Sequence, residues 1–397
     1  MQTRRRFLEQ SALLSLTPWI PNFISQSLGA TRPAIDDRIL VVIQLDGGND
    51  GLNTVIPFAD AKYAEVRKEL RIPEKGIHKL NGEIGLHPSM KGMFELFKEG
   101  RLSIVQGVGF PNPNRSHFES MAIWQHAHLE MAQHDSIGWL GRTADTWYPK
   151  SASGPDAVFV GNESIPVAIR GRRSEAISLF DESDLLLDTD TVQQAMQEKA
   201  SDEITSYIQR NLTSSFESAR RFAESKNILF SGSIQYPVSE LAKKLQLVSR
   251  MIKIGGGARV YYVNQPGYDT HSSQLMAHQQ LLREFSQGLK AFLDDLKVTK
   301  LDQQVAVMAF SEFGRRVQEN GSAGTDHGIA GPMFLAGGAL RSGIVGAHPS
   351  LTDLDEGDLK FSIDFRQVYS TVLTKWLGVN SRVIDSTSDC LDLFAES

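Results

Sequence analysis

The chain has 397 residues, of which 41% are hydrophobic and 22% charged, with a net charge of −6. That is the balance of an ordinary globular protein of one large domain or two to three small ones, and the negative sign argues against non-specific nucleic-acid binding, which needs a basic face. Cys390 is the only cysteine, so an internal disulfide and a cysteine-based zinc knuckle are ruled out, and past the N-terminus no apolar run approaches the roughly 20 residues of a membrane span.

The first thirty residues read separately from the rest. "TRRRFLEQSALLSLTPWI" begins with Arg4 and Arg5, continues through Phe7 and Leu8 into a modest apolar stretch, and reaches small residues at Ser27, Gly29 and Ala30. This has the layout of a twin-arginine export signal, although Glu9 stands where lysine is common. The expectation is a signal peptide over residues 1–30, recognised by the twin-arginine machinery, and a mature protein that is periplasmic or secreted without a membrane span. The plainer alternative is a basic N-terminal helix.

From residue 38 the pattern alternates. "RILVVIQL" (38–45) is a continuous aliphatic run that opens into the loop "DGGNDG", the pattern of a buried parallel strand and its carboxyl-end turn. Further strands are predicted at 102–110, 156–161, 258–264, 304–310 and 332–338. Helical segments lie between them: "SMKGMFELFKEG" stops on Gly100, "SSQLMAHQQLLREFSQGLKAFLDDLK" keeps helical spacing for about seven turns, and "SIDFRQVYSTVLTKWLG" closes on Gly378. The prediction is an α/β fold, a mainly parallel central sheet with helices on both faces. Residues 163–257 are polar and helix-like, and read as a helical insertion within one domain spanning 31–397.

In an open parallel sheet, ligands bind beyond the carboxyl ends of the strands. Asp46 follows the first strand, Asp269 and His271 in "GYDTHSS" follow the strand at 258–264, Glu312 in "SEFGRR" follows the next, and Asp326 and His327 in "GTDHG" precede the last. Parallel neighbours would bring these groups to one edge. Carboxylates and imidazoles are the donors of zinc, manganese or iron-type ions. Each residue also has a structural alternative. Asp46 could cap its turn, Asp269 could cap the long helix with His271 in its first turn, and Glu312 could pair with Arg315 or Arg316.

Together, "QLDGGNDGLNTVIP", "NPNRSHFESMAIW", "GYDTHSSQ" and "SEFGRRVQENGSAGTDHG" resemble a twin-arginine-exported family of unknown function, number 1501 in that series, placed in the alkaline phosphatase and sulfatase superfamily. The resemblance covers nearly the whole chain beyond residue 30. It implies an alkaline-phosphatase-like core and one or two divalent ions, zinc, manganese or calcium. Asp269, His271 and His327 match the first ion's ligands. Asp46, with Glu312 in place of an aspartate, matches part of a second set, where Phe313 stands in for a histidine and Asp50, Asp326 or His117 could substitute. At the nucleophile position stands Pro111, which is inert. Ser116 is the nearest hydroxyl, with His117 beside it as acid, base or ligand and Arg115 as an oxyanion grip, yet "SHFE" (116–119) also fits a helix capping box. The implied activity is metal-dependent hydrolysis of phosphate or sulfate esters of a small molecule or glycan. The alternatives are a non-catalytic member that binds an envelope or carbohydrate ligand, and a chaperone-like partner of another exported protein.

Overall fold

The structure, a computed structural model, describes residues 38–147, 155–174, 176–180, 234–255, 258–386 and 389–395. The candidate signal peptide lies outside them. Nine strands form the central sheet: β1 (Ile39–Asp46), β2 (Leu102–Gly109), β3 (Ala157–Val160), β4 (Ala176–Leu179), β5 (Val260–Pro266), β6 (Val305–Phe310), β7 (Gly331–Gly337), β8 (Gly343–Val345) and β9 (Ile363–Asp364). The order across the sheet is β8-β2-β7-β6-β1-β5-β3-β4, with β9 also paired to β2. All pairings are parallel except those of β7, which runs antiparallel to both β2 and β6.

Alternate residues of the strands face two separate cores, as a period of two requires. On one face Val41, Ile43, Val263 and Val307 pack against α1 (Lys91–Lys98), α4 (Glu240–Lys253) and α5 (Gln274–Val298). On the other, Leu40, Val42, Tyr262 and Met308 meet α2 (His117–His126), α3 (Trp139–Asp145) and α6 (Phe365–Thr371). The stripe on α5 runs Leu282, Phe285, Leu289, Phe292, Leu293 and Leu296, all fully buried. Each such side chain contributes roughly 1.5–3 kcal/mol by leaving water, so both faces are held by ordinary hydrophobic burial. Gly100 ends α1 in the left-handed conformation at φ 74°, while Arg101 N–H and Gly100 N–H return to Leu96 and Phe97 carbonyls. This six-to-one, five-to-two closure aims the chain directly into β2.

Two features depart from the sequence reading. The first lies in the stretch read as a helical insertion, 163–257. It carries an edge strand, β4, that extends the main sheet in parallel with β3, and its final part forms α4. Its middle, 181–233, lies outside the described residues. The second is the direction of β7. Parallel order would leave Asp326 and His327, which precede this strand, at the opposite edge from Asp46. Residues 314–316 instead pair antiparallel with 326–328, through an Arg315–His327 bridge and Gly328 N–H to Gly314 O at 2.8 Å. The chain therefore turns back on β6 as a hairpin and delivers the pair to the carboxyl edge. Pro332, which has no N–H to give, sits where the β2 pairing shifts register, a bulge that spares a missing hydrogen bond.

Candidate metal centre

Four loops meet at the carboxyl edge. Gly47, at φ 116°, backs so closely on the second loop that a Cβ would lie 2.3 Å from Asp269 N, and a Cβ on Gly324 would lie 2.2 Å from the His271 carbonyl. Only glycine permits these approaches. The loop after β5 is tied to the hairpin tip by Thr325 N–H to Thr270 O at 3.2 Å, Gln274 N–H to Ala323 O at 2.9 Å, and Asn320 Nδ2 to His271 O at 2.9 Å.

Arg315 holds the loops together from inside. It is fully buried, and its guanidinium donates to Gly48 O at 2.7 Å, Thr325 O at 2.7 Å, Tyr268 O at 3.1 Å, the Gly47 carbonyl, and Asp269 Oδ1 at 2.7 Å. Burial alone would raise the Asp269 carboxyl, but the hydrogen bonds from Arg315 and His327 prevail and hold its pKa at about 2.

Around Asp269 stand three imidazoles, each with its Nδ1 tied off. His117 Nδ1 lies 2.7 Å from Glu312 Oε1, His271 Nδ1 lies 3.2 Å from Asp326 Oδ1, and His327 Nδ1 lies 2.7 Å from the Arg115 carbonyl. Every one of these partners is an acceptor that a proton on Nδ1 satisfies, and in that tautomer each Nε2 carries a lone pair; without an ion, His271 and His327 can instead donate from Nε2 to Asp269. All three Nε2 atoms border Asp269, and His117, Asp269 and His327 each bring a donor atom within 4.8 Å of the others. His271 Nε2 is 2.9 Å from His327 Nε2 and 3.0 Å from Asp269 Oδ1, while His327 Nε2 is 3.2 Å from the same oxygen. His117 Nε2 lies 3.5 Å from Asp269 Oδ2, too far for a hydrogen bond, and is otherwise an unpartnered buried nitrogen.

With the protons on Nδ1, the Nε2 lone pairs would face one another and a carboxylate, an arrangement that a cation relieves. In a tetrahedral zinc site with bonds near 2.0–2.1 Å, neighbouring donors stand about 3.3 Å apart. The separations of 2.9 to 3.5 Å to Asp269 and between His271 and His327 are of that order, and the set His117, Asp269 and His327, with His271 beside it, suits the ion chemically. Burial pushes His327 below its ordinary value and keeps it neutral. The hydrogen bond from Glu312 raises His117, so there a proton competes with any ion.

The other residues singled out in the sequence have different surroundings. Glu312 is 2% exposed and spends its oxygens on His117, Gly47 N–H at 2.9 Å and Ser311 Oγ at 3.0 Å, so it orients His117 and makes no pair with Arg315 or Arg316. Asp326 orients His271 in the same way. Asp269 does not cap α5, whose N-cap is Ser273, and His271 precedes that helix. Asp50 is buried on Arg67 and Gln274, each at 2.5 Å, away from any open site. Asp46 lies at the same edge and lines the same pocket as His117, Asp269 and Glu312. Its carboxylate accepts from Gln44 and, at 3.1 Å, from Asn264, and burial lifts its pKa to about 6. Phe313 packs against both His117 and His327, with ring centroids at 5.0 and 4.7 Å, while those two imidazoles lie 4.4 Å from each other.

The helix start at 116 also corrects the sequence reading. Ser116 occupies the N-cap of α2 but its side chain makes no capping bond. Asn114, two residues earlier, takes over: its Oδ1 accepts Ser116 N–H at 2.7 Å, its amide reaches Glu119, and its carbonyl receives Ser120 Oγ. The turn made by this asparagine displaces the expected box. Arg115 is turned away from the imidazoles, paired with the buried Asp358 and 3.8 Å from Glu356, and only its carbonyl serves the site. Sequence reasoning overlooked Gln44 and Asn264, and weighed Arg315 only as a partner of Glu312. The first two were marked only as polar residues in otherwise aliphatic runs, side by side in register.

No curated protein matches the chain in sequence. Solved structures similar to it include a protein in the alkaline phosphatase superfamily from Vibrio parahaemolyticus (10% identity, 93% of this chain and 75% of that one, TM-score 0.40). Also among them are the PsFucS1 sulfatase from Pseudoalteromonas sp. (10% identity, 89% and 70%, TM-score 0.40) and the C-terminal periplasmic domain of EcEptC from Escherichia coli in complex with Zn (7% identity, 76% and 73%, TM-score 0.37). The family described as "Protein of unknown function (DUF1501)" matches residues 37–387, which include the sheet and all four loops of the site, and the chain belongs to that family.

Proposed function

We propose that this protein is an exported, metal-dependent hydrolase of phosphate or sulfate esters. The observation that carries the reading is the set of three imidazoles, His117, His271 and His327, whose Nδ1 atoms are all occupied by acceptors and whose Nε2 atoms all face Asp269. A divalent ion bound there would supply Lewis-acid polarisation of an ester oxygen and offset the charge that develops on it.

The chain's own groups would do the rest. The N-terminal end of α2, a ten-residue helix, lies at the pocket through His117 and Phe118 and favours an anion. Asp46, with a pKa of about 6, keeps a proton within reach near neutral pH and would hand it to the leaving oxygen. In the overall reaction the phosphorus–oxygen or sulfur–oxygen bond to the leaving group breaks. Water supplies the hydroxyl to phosphorus or sulfur and a proton to the departing oxygen. Ser116, whose hydroxyl is free of capping duty, is the alternative attacking group.

The test is metal content together with turnover. Purified protein titrated with zinc should bind one equivalent tightly and hydrolyse an aryl sulfate or aryl phosphate ester. His327→Ala should lose both. If His327→Ala binds zinc as well as the wild type, the cluster is not a metal centre and the hydrolase reading falls with it.

A further inference from the structure

Beside the imidazoles opens a pocket of about 450 Å³ whose two walls differ in kind. One is acidic: Asp46, Asp269 and Glu312. The other is mainly apolar: Phe118, Met121 and Ala122 from α2 with Val167, followed along the helix by Gln125 and His126. Positions 118, 121 and 122 share one face of a helix, so α2 turns a continuous apolar stripe toward the pocket directly after it delivers His117. Phe118 is 90% exposed, although a phenylalanine could have been covered.

The charges point the same way. Among the described residues no lysine or arginine lines this pocket. The nearby cations are committed elsewhere: Arg315 to Asp269 and backbone carbonyls, Arg115 to Asp358, and Lys244 to Asn264 Oδ1 at 2.7 Å. A substrate group with two negative charges would meet the carboxylates of Asp269 and Glu312, with one divalent ion and no lysine or arginine to offset them. A group with one negative charge is far better matched. The polar residues of α2 here are already engaged, Gln125 with Gln44 and Val167 N–H and His126 with the Ala122 and Asp135 carbonyls, so a polyhydroxylated leaving group would find few free partners, whereas an aryl or alkyl group would cover Phe118 and Met121 and displace water from them.

From this geometry we infer the substrate class: a tetrahedral ester with a single negative charge, either a sulfate monoester or a phosphodiester, whose leaving group is apolar and lies on the Phe118–Met121–Ala122 stripe. The inference rests on the hydrolase reading above and narrows it. A pocket of this volume accommodates one ring system or a short chain.

The test combines binding with turnover, both in zinc-titrated protein. Calorimetry compares methanesulfonate with 2-naphthalenesulfonate, two singly charged anions that cannot be hydrolysed and differ only in the apolar group. The naphthyl compound should bind at least roughly tenfold more tightly. Phe118→Ala and Ala122→Glu, both on the solvent-facing side of α2, should remove most of that difference while zinc binding stays as in the wild type. Turnover compares 4-nitrophenyl sulfate, bis(4-nitrophenyl) phosphate and the doubly charged 4-nitrophenyl phosphate. One of the first two should be preferred, and which one identifies the transferred group. Equal binding of the two sulfonates, a preference that survives both substitutions, or fastest turnover of the doubly charged ester overturns the inference. In those cases the hydrolase reading stands as long as zinc binds and any ester is cleaved. Absence of zinc binding overturns both.

Discussion

Replacing Glu312 with glutamine isolates the part of the site that orients a ligand from the ligands themselves. Glu312 is almost fully buried and serves three donors: His117 Nδ1 at 2.7 Å, Gly47 N–H at 2.9 Å and Ser311 Oγ at 3.0 Å. Glutamine keeps the shape but has one acceptor oxygen, so its amide nitrogen must face either an N–H of Gly47 or the protonated Nδ1 of His117, donor against donor. Loss of a charged hydrogen bond and one unsatisfied buried group together cost about 1–3 kcal/mol of folding free energy. The effect on the ion follows from His117, which loses the partner that fixes its ring and proton. Carboxylates in this supporting role are worth about 10–100-fold in metal affinity, or about 1.4–2.7 kcal/mol. Competition with a chromogenic chelator should show zinc binding weakened within that range in Glu312→Gln, against near-complete loss in His327→Ala. The metal-free proteins give a second readout. Glu312 raises the His117 pKa above its ordinary 6.5, so the stabilisation from this pair is fully present below that value and is lost as pH rises through the raised folded-state value. Denaturant unfolding of Glu312→Gln should lack that loss. Unchanged zinc affinity and an unchanged pH profile in Glu312→Gln would refute the orienting role.

Asp50→Ala should cost about 3–5 kcal/mol in urea unfolding, because it leaves the buried Arg67 guanidinium without its carboxylate. In the wild type the Asp50 pKa, which burial alone would raise, is held below its ordinary value by Arg67, so the pair's contribution is complete above the unfolded carboxylate range and is lost as pH falls through the depressed folded value. Arg115→Ala should lower stability by about 1–3 kcal/mol by stranding part of Asp358, yet leave zinc affinity unchanged, since the carbonyl that holds His327 remains. A drop in zinc affinity would mean that the guanidinium, too, serves the site. Changing Arg4 and Arg5 to lysine should hold a precursor in the cytoplasm, checked by fractionation and immunoblotting, and normal export would dismiss the signal reading.

Much of this architecture was legible because burial writes itself into composition. The long aliphatic runs at β1, β5 and β6 could hardly be anything but interior strands, and Asp46, Asp269 and His271 stood out as polar residues where such runs end. The short edge strands β4, β8 and β9 gave no comparable signal, being two to four residues long and only partly buried. The direction of β7 was not legible either. "PMFLAGG" reads the same in both senses, and the deciding contacts are backbone bonds between 314–316 and 326–328. The division of labour among acids was hidden for a similar reason. Glu312 and Asp326 have the right chemistry for ligands, but whether a carboxylate faces the ion or the far nitrogen of an imidazole depends on side-chain direction, which residue type does not encode. At Ser116 the motif was correct in spacing, and Asn114 reached the backbone first.

The place of β7 governs when the site can exist at all. This strand lies between β2 and β6, and within the sheet it is the only link joining β2 and its neighbours to the larger set that contains β1 and β5. His117 follows β2, whereas Asp269 and His271 follow β5. A ribosome that has released the first 320 residues has therefore made every strand from β1 to β6 and most of the donors, but the two groups of strands then meet through helix packing, such as that of α1 on α5, and not through a shared sheet. Assembly waits for one of the later stretches of the chain, which carries His327 in with it. The full set of donors thus exists only once residue 327 has been synthesised, and a bound ion would mark a chain that is nearly complete.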